Sequence, residues 1–304
     1  MINLIKGDCL IESDKIQSGS VDLILTDLPY GIMNTDGGRK LGINGWDIAI
    51  DPKKVFEIAN RILRKNGKMV LFSQEPYTTK LITEAIPNIP FNYRATWEKD
   101  NFAVALGAKV NMVSFTEDIL VFSKNNEFEG LHPLRPYFKQ VFEFIGGTKK
   151  RIIEKIGGGA DHTFRFNSSQ FGLCTEQTYS KLMVIFSIFN MKGYKTFEEL
   201  KEIDDEFKKK FASTFNLWEG NKYKSNILKY KKDYTGDHPT QKPVLLLEDL
   251  IKTFSNEGDL VVDLTMGSGS TGVAAKNTNR SFIGIELDDK YFNIAKERIN
   301  DIRS

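Results

Sequence analysis

The segment TDLPYG, residues 26–31, ends an apolar stretch with an acid, a proline and an aromatic residue. Buried strands usually end in small turn residues, so Asp27, Pro29 and Tyr30 need an explanation. One explanation is structural, namely an Asp-Pro turn that begins a loop. The other is chemical, because a carboxylate on a turn stiffened by proline can accept hydrogen bonds from a ligand. The segment alone leaves both open.

A second segment, DLTMGSGST at residues 263–271, joins an acid to a glycine-rich turn. Gly267 and Gly269 permit a tight turn between a strand and a helix, so a ligand can approach the backbone amides and the helix N-terminus. The spacing lacks the Gly-Lys-Ser/Thr of a phosphate loop and only partly meets the dinucleotide pattern. Glu286, which ends the next apolar stretch, is placed to accept hydrogen bonds from a ribose diol. A plain strand-to-helix turn is the alternative.

Alternating strands and helices must position these segments. Apolar stretches predict strands in MINLIKG, VDLILTD, KMVLFS, TEDILVFSK, GDLVVDL and RSFIGIE. Amphipathic patterns predict helices in DKYFNIAKERI and in DPKKVFEIANRILRKNG, with Pro52 in the first turn of the latter and Gly67 after its last. This alternation predicts an α/β fold with a mostly parallel sheet and helices on both faces. Both candidate segments follow strands, where such sheets bind ligands.

The composition is that of a globular chain. It has 304 residues, of which 40% are hydrophobic and 27% are charged, and no stretch approaches the roughly 20 apolar residues of a membrane span. We therefore expect a cytoplasmic protein, encoded by a bacterium or a virus, without a membrane partner. The cysteines and histidines are too few and too scattered for a disulfide framework or a metal site, so no metal is expected. They are Cys9, Cys174, His132, His162 and His238.

The charge is unevenly distributed. Residues 131–236 contain 19 Lys and Arg against 12 Asp and Glu, whereas the remainder contains 23 against 28. This middle segment also loses the alternation of strands and helices. We therefore predict three parts, residues 1–130, 131–236 and 237–304, of which the second is mainly helical. A basic segment is suited to phosphate contacts, although solvated lysine-rich helices have the same composition.

Together these motifs resemble a known family. TDLPYG, and DLTMGSGST followed by Glu286, resemble the DNA amino-methyltransferases of the N6-adenine/N4-cytosine family, which use S-adenosylmethionine. Their order resembles the circularly permuted beta group, in which the catalytic segment precedes the cofactor loop. HPTQKP at residues 238–243 and GDCL at residues 7–10 resemble further segments of that group. The resemblance covers residues 1–125 and 237–304.

The resemblance implies a Rossmann-like methyltransferase fold and a cofactor site. In the family the glycine loop holds S-adenosylmethionine, an acid in the GDCL segment faces its adenine, and the HPTQKP segment lines its methionine end. The implied cofactor residues of this chain are Asp8, Cys9, Asp27, His238, Thr240, Lys242, Asp263, Met266, Gly267, Gly269, Ser270, Thr271, Glu286 and Leu287.

The resemblance also gives TDLPYG a chemical role. An exocyclic base amine is a poor nucleophile because its lone pair is delocalised into the ring, so acceptors must hold its hydrogens in a geometry that frees the pair. Asp27 is predicted to accept one hydrogen and the carbonyl of Leu28 the other. Pro29 stiffens the turn, and Tyr30 stacks on the base extruded from the duplex. Leu28 departs from the family, which has proline there.

The same residues narrow the reaction. Methylation at cytosine C5 uses a Pro-Cys pair, which this sequence lacks. In enzymes of the resembling family an Asp at the first position favours adenine and a Ser favours cytosine, so Asp27 predicts adenine N6, with cytosine N4 as the alternative. An RNA or protein amine methyltransferase is a further alternative, although glutamine methylators place their cofactor loop first. A cofactor-sensing DNA-binding regulator without catalysis is another alternative. A nicotinamide oxidoreductase is the last, although it leaves TDLPYG unexplained.

Target recognition is assigned to the basic middle. GTKKRIIEKIG predicts a helix with Thr148 as its N-cap, and a second helix follows a cap at Thr175. The pair resembles a helix-turn-helix, and the predicted contacts with double-stranded DNA are Thr175, Gln177, Thr178 and Lys181. Two packed helices without DNA contact are the alternative. Trp46, which Asp47 follows, either stacks beside the base pocket or anchors a glycine-rich loop in the core. A homodimer and a cognate restriction endonuclease stay open as partners.

Overall fold

The computed structural model describes residues 1–31, 48–102, 112–124, 132–168, 170–211, 213–217, 222–234 and 241–301, together with 35–36, 39–40 and 109. Residues 35–36, 39–40 and 209–211 are described by their backbone alone. The chain divides into two compact units. Unit 1 combines Met1–Asn126 with Ser213–Ser304, and unit 2 is Glu127–Ala212.

The strands of the described chain all belong to unit 1. In chain order they are β1 (Ile2–Lys6), β2 (Val21–Asp27), β3 (Thr35–Asp36), β4 (Arg39–Lys40), β5 (Leu63–Ser73), β6 (Phe91–Glu98), β7 (Thr116–Ser123), β8 (Ile227–Lys229), β9 (Leu260–Asp263) and β10 (Ser281–Glu286).

The helices lie in both units. Those of unit 1 are α1 (Cys9–Glu12), α2 (Pro52–Ile62), α3 (Tyr77–Thr83), α8 (Val244–Phe254), α9 (Ser270–Asn277) and α10 (Asp289–Asn300). Those of unit 2 are α4 (Leu134–Ile145), α5 (Lys149–Ile156), α6 (Glu176–Phe186) and α7 (Phe197–Phe211).

Unit 1 is built on an eight-stranded sheet with the order β1-β10-β9-β2-β5-β7-β6-β8. The five strands from β1 to β5 in this order run parallel. Strand β7 runs antiparallel to its neighbours β5 and β6, and β8 returns parallel to β6. Strands β3 and β4 form a separate antiparallel pair. The predicted α/β fold with a mostly parallel sheet is confirmed.

Strand β2 shows why the sheet is buried on both faces. Its side chains point alternately to opposite faces, so Leu23 and Leu25 join one hydrophobic core while Ile24 joins the other. Helices α8, α9 and α10 supply the first of these cores, and α1, α2 and α3 supply the second. Burying one such aliphatic side chain contributes about 1.5–3 kcal/mol. A continuous apolar strand is therefore stable only under two helical layers.

Helix α2 ends earlier than its pattern predicts. Asp51 caps it and Pro52 occupies its first turn, as expected, but it stops at Ile62 rather than near Gly67. Leu63 is extended and pairs with Val21 of β2, which draws the chain into β5. The predicted boundary at Gly67 is therefore wrong, because pairing with the sheet overrides the helical periodicity. Gly67 instead lies where a Cβ would be 3.1 Å from the carbonyl oxygen of Val21.

Unit 2 has a hydrophobic core of its own. Thr148 caps α5 by accepting from the backbone N–H of Arg151, and Gly157 follows the helix with a positive φ of 93°. Thr175 caps α6 in the same way through the N–H of Thr178. Both predicted caps thus begin helices. Between α5 and α6 the chain forms two 3₁₀ turns, Gly158–Ala160 and His162–Phe164, so the connection is much longer than a helix-turn-helix turn.

Across the ranges described above, no helix is both long and apolar enough to cross a membrane.

Candidate active site

Four acidic residues follow or end neighbouring strands at one edge of the sheet. Asp8 follows β1, whereas Asp27, Asp263 and Glu286 are the last residues of β2, β9 and β10. Because these strands are parallel, their carboxyl ends meet at the same edge. There they line a cavity of about 860 Å³, which is large enough for a cofactor together with part of a second ligand.

The cavity contains most of the residues predicted from the sequence. Those that line it are Asp8, Cys9, Asp27, Leu28, Pro29, Tyr30, Lys242, Asp263, Met266, Gly267, Ser270, Thr271, Glu286 and Leu287. His238 and Thr240, like Trp46 and Asp47, lie outside the described residues. The structure therefore brings the TDLPYG segment and the glycine turn to one cavity.

The glycine turn is fixed by Glu286. The carboxylate of Glu286 accepts the backbone N–H of Gly267 at 2.8 Å and that of Asp288 at 2.8 Å. Gly267 has a φ of 51°, a left-handed conformation that favours glycine. Burial raises the pKa of Glu286, while the two amides oppose that rise. Glu286 therefore orders the turn as well as lining the cavity.

Gly269 has a different position from the one predicted. It does not line the cavity, and its backbone N–H donates to the carbonyl of Met266 at 2.8 Å. It has a φ of 83°, and a Cβ there would lie 2.8 Å from the Cβ of Ala295. Gly272 is similar, because its Cβ would lie 2.4 Å from a methyl group of Ile299. These two glycines allow α9 to pack closely against α10.

Asp263 is buried behind the turn. It accepts the hydroxyl of Thr26 at 2.7 Å and the backbone N–H of Thr265 at 3.1 Å. Burial raises the pKa of Asp263 to about 6, against the hydrogen bonds of Thr271 and Thr26, which lower it. Thr265 in turn donates to the carbonyl of Asp27 at 2.9 Å. This chain of hydrogen bonds joins the ends of β9 and β2.

Asp8 and Cys9 lie at the start of α1. Asp8 caps the helix by accepting the backbone N–H of Leu10 at 2.9 Å. Cys9 is buried, and burial raises the pKa of its thiol to about 12. A thiol with this pKa is protonated and unreactive at neutral pH. Cys9 therefore contributes an apolar surface to the cavity.

Leu28 explains how TDLPYG tolerates a residue other than proline. Its side chain is 2% exposed and belongs to the core beneath α1, α2 and α3. The turn is thus held by a buried apolar side chain. Tyr30 adds a second restraint, because its hydroxyl donates to Asp27 at 2.5 Å and lies 3.1 Å from Glu117. Its ring centroid is 5.7 Å from that of Tyr77.

A row of charged side chains, buried except for the partly exposed Asp27, begins at Asp27 and was not predicted in full. The ammonium group of Lys242 forms ion pairs with Asp27 and, at 2.9 Å, with Glu117. Lys99 pairs with Glu117 at 2.7 Å. Lys242 also lies 5.1 Å from the ring centroid of Phe72. We call Asp27, Lys242, Glu117 and Lys99 the charged row.

The charged row changes the proton affinity of its members. Burial raises the pKa of Asp27, and the attraction of Lys242 only partly opposes this. Burial acts in the same direction on Glu117, but Lys242 and Lys99 outweigh it and hold its pKa below the ordinary value. Burial would lower the pKa of Lys242, but the two carboxylates raise it. The ammonium group of Lys242 therefore stays protonated beside Asp27.

The predicted DNA contacts lie in unit 2. Thr175, Gln177 and Lys181 are exposed at the start of α6. Thr178 is buried, and its hydroxyl lies 3.0 Å from that of Thr175. Thr178 therefore stabilises the start of the helix and does not face solvent.

The described residues contain no group of three or more His, Cys, Asp and Glu side chains that could hold a metal ion.

Comparisons with known proteins extend these observations. An N6/N4 methyltransferase family model, described as DNA methylase, matches residues 21–297. The type II methyltransferase M.HpaI of Haemophilus parainfluenzae is 26% identical over 299 residues, which are 98% of this chain and 74% of that enzyme. The DNA adenine methyltransferase YhdJ of Escherichia coli is 27% identical over 305 residues, which are 98% of this chain and 82% of that enzyme. The type II methyltransferase M2.LlaDCHI of Lactococcus lactis is 35% identical over 130 residues, and that match spans 45% of its length.

Solved structures show the same fold. The M1.HpyAVI–SAM complex has a TM-score of 0.56 and 19% identity, with 99% of this chain and 100% of that chain covered. The cytosine-N4-specific PvuII DNA methyltransferase has a TM-score of 0.53 and 14% identity, with 100% and 88% covered. At these identities the likeness concerns the fold.

Proposed function

The chain belongs to the N6/N4 DNA methylase family, and from this premise we propose that it methylates the exocyclic N6 amine of adenine in DNA. The family match confirms two predictions from the sequence, the amino-methyltransferase family and the use of S-adenosylmethionine. S-adenosylmethionine supplies an electrophilic methyl group on a sulfonium. The residues of this chain must therefore hold that cofactor, hold the base, and prepare the amine as a nucleophile.

The residues around the glycine turn fit this cofactor. Glu286 and Asp8 present carboxylates beside the glycine turn, where a ligand can approach the backbone closely. A carboxylate is the acceptor that a ribose diol requires. The apolar surface of Cys9 and Leu287 is suited to an adenine ring. Asp263 lines the inner wall of the same cavity. We assign these residues to the cofactor, with Met266, Gly267, Ser270 and Thr271 from the turn itself.

The position of Asp27 is the main observation that supports the proposed reaction. Its carboxylate ends β2 in the same cavity as the glycine turn, so a base amine held there faces a methyl donor. Asp27 accepts one amine hydrogen, and the carbonyl of Leu28 accepts the other, which frees the nitrogen lone pair for attack. Methyl transfer would form one carbon–nitrogen bond, break the sulfonium carbon–sulfur bond with the thioether S-adenosylhomocysteine as the leaving group, and release one proton from the amine. Asp27, whose pKa burial raises, is suited to accept it.

Two observations favour adenine over cytosine. The first position of the catalytic segment is Asp27, and YhdJ, which matches 98% of this chain, is named an adenine methyltransferase. The PvuII enzyme shares the fold and is named cytosine-N4-specific, so N4 methylation is the alternative product. Both reactions use the same acceptors, because each requires an exocyclic amine with two hydrogens.

Unit 2 is the proposed target-recognition region. Residues 132–196 contain ten Lys and Arg against four Asp and Glu, which favours contact with phosphates. Lys150 and Arg151 of α5 are exposed, as are Gln177 and Lys181 of α6. We propose that the basic residues contact the phosphate backbone, and that Thr175 and Gln177 contact base edges. The M.HpaI relative is named a type II methyltransferase, and a restriction endonuclease with the same target is the partner we propose.

The product of the purified protein tests this function. Duplex DNA of mixed sequence is incubated with the protein and methyl-labelled S-adenosylmethionine, digested to nucleosides, and separated by liquid chromatography with mass spectrometry. We expect labelled N6-methyldeoxyadenosine. Labelled N4-methyldeoxycytidine in its place would establish the alternative base, and the absence of labelled nucleosides with wild-type protein would contradict methyl transfer to DNA.

A further inference from the structure

Two members of the charged row are not part of the proposed reaction. Lys99 and Glu117 form an ion pair at 2.7 Å, and their side chains are only 4% and 6% exposed. Glu117 also contacts Lys242 at 2.9 Å and Tyr30 at 3.1 Å, the two residues that hold the Asp27 carboxylate. The pair therefore lies behind the base-holding acid and contacts both of its supports.

A buried ion pair of this kind is unfavourable for folding, so its presence indicates a role other than stability. Removing two charges from water is unfavourable, and apolar residues of similar volume often replace such pairs without loss of stability. Trp97 and Phe72 belong to one hydrophobic core. This region therefore accommodates large apolar side chains. Packing alone therefore does not account for Lys99 and Glu117.

The strand arrangement places both residues at the site. Strand β7 runs antiparallel to β5, so Glu117 at its start lies at the edge where β2 ends. Strand β6 runs antiparallel to β7, so Lys99, which follows its last residue, reaches the same edge. The backbone N–H of Lys99 also donates to the carbonyl of Phe115 at 2.7 Å. The positions of the pair are thus fixed by the sheet.

We propose that Glu117 and Lys99 are positioning residues that orient the Asp27 carboxylate and balance the charges around it, acting through Lys242 and Tyr30. The inference rests on the proposed function, in which Asp27 holds the amine. Glu117 holds Lys242 and the Tyr30 hydroxyl beside Asp27, and Lys99 balances the charge of Glu117. With two cations and two carboxylates, the charged row is neutral when Asp27 is ionised.

The charge count predicts shifts of opposite sign. In Glu117→Gln, Asp27 faces two ammonium groups and no other carboxylate of the row, so its pKa falls. In Lys99→Met, Asp27 and Glu117 share Lys242 alone, so the pKa of Asp27 rises. Structural damage alone would not shift the pKa of Asp27 in opposite directions in the two variants. The other charged groups near the row, Asp263 and Lys232, are the same in both.

Carbon-13 NMR of the aspartate carboxyl groups tests this in the protein without cofactor or DNA. Asp27→Asn identifies the Asp27 signal. We expect the titration midpoint to fall by about one pH unit in Glu117→Gln and to rise by about one in Lys99→Met. In the double variant Glu117→Gln/Lys99→Met the row is neutral again, so the midpoint of Asp27 should return toward the wild-type value. This variant still tests the inference if one of the single variants fails to fold. Unchanged midpoints, or shifts of the same sign, would overturn the inference.

The pH dependence of methyl transfer gives a second readout. At saturating S-adenosylmethionine, the acidic limb of kcat/KM for DNA should move in the same directions as the NMR midpoints. Asp22→Asn is the matched control, because it removes a carboxylate that pairs with Arg64 at the other end of β2. We expect no shift for that variant, and an equal shift would count against the inference.

The two proposals fail separately. If Asp27→Ala methylates DNA at the wild-type rate, the role of Asp27 in the proposed function is wrong, whatever the midpoints are. If Asp27→Ala is inactive and the midpoints do not move, only the role of Glu117 and Lys99 is wrong.

Discussion

Replacing Glu286 with alanine tests the link between the glycine turn and the cofactor. In the structure the Glu286 carboxylate accepts backbone N–H groups of Gly267 and Asp288, both at 2.8 Å. Alanine removes both acceptors and the carboxylate proposed to bind the ribose diol. The change therefore affects the ligand contact and the order of the turn together.

The magnitude follows from the hydrogen bonds that are lost. A hydrogen bond to a charged group contributes about 1.5–3 kcal/mol. The cavity admits water, so the amides left without an acceptor are rehydrated, and we expect the loss in cofactor binding to equal about one such bond. A loss of about 1.5–3 kcal/mol raises the Kd for S-adenosylmethionine about 10- to 150-fold.

Isothermal titration calorimetry of S-adenosylmethionine with the purified variant measures this loss. Asp289→Ala is the matched control, because Asp289 begins α10 three residues after Glu286 but its side chain is 90% exposed in a surface pair with Lys6. Such a pair contributes about 0–1 kcal/mol to stability, and it does not line the cavity. A Kd for Glu286→Ala within the range of the control would refute the assignment of Glu286 to the cofactor.

Further predictions concern a buried acid, helix α6 and the thiols. The pKa of Asp263 is raised by burial to about 6, so its contribution to stability is present below about pH 4 and is lost as the pH rises through 6. Measured by urea denaturation, the free energy of unfolding of wild type relative to Asp263→Asn should fall by about 2–3 kcal/mol between pH 4 and 7, and a constant difference would contradict the raised pKa. Lys181→Ala should weaken binding to target and non-target duplexes alike and reduce the salt slope by about one, whereas Gln177→Ala should change which sequence is methylated. If both variants retain wild-type binding and sites, α6 does not contact DNA. Burial raises the pKa of Cys9 to about 12 and that of Cys174 to about 11, so neither should react with Ellman's reagent at pH 8 before unfolding, and rapid native labelling would disprove their burial.

The sequence predicted the fold because its central strands are unambiguous. Strand β2 is an apolar run that ends abruptly at Asp27, and β9 ends in the same way at Asp263. Acids at the ends of two buried strands indicate a site at one edge of the sheet, which is where the structure places them. The end of α2 was missed because pairing of Leu63 with β2 is a tertiary effect that helical periodicity does not contain.

The charged row was predicted only where a motif covered it. Asp27 and Lys242 lie in segments that resemble the family, whereas Glu117 and Lys99 flank apolar strands without a motif. A charge at a strand end is informative only when the direction of the strand is known, and the apolar pattern of β7 does not reveal that it runs antiparallel to β5. Gly269 was assigned to the cofactor for a related reason, since a glycine needed for helix packing has the same signature as one that approaches a ligand.

The most direct test of the central claim compares the rate of methyl transfer with cofactor affinity in Asp27→Ala. The single-turnover rate is measured with saturating DNA, and the Kd for S-adenosylmethionine is measured without DNA. Because Asp27 is proposed to hold the amine in the transition state, we predict that the rate falls by at least about 100-fold while the Kd changes little. A Kd that rises in proportion to the loss of rate, or a rate equal to that of wild type, would contradict the account.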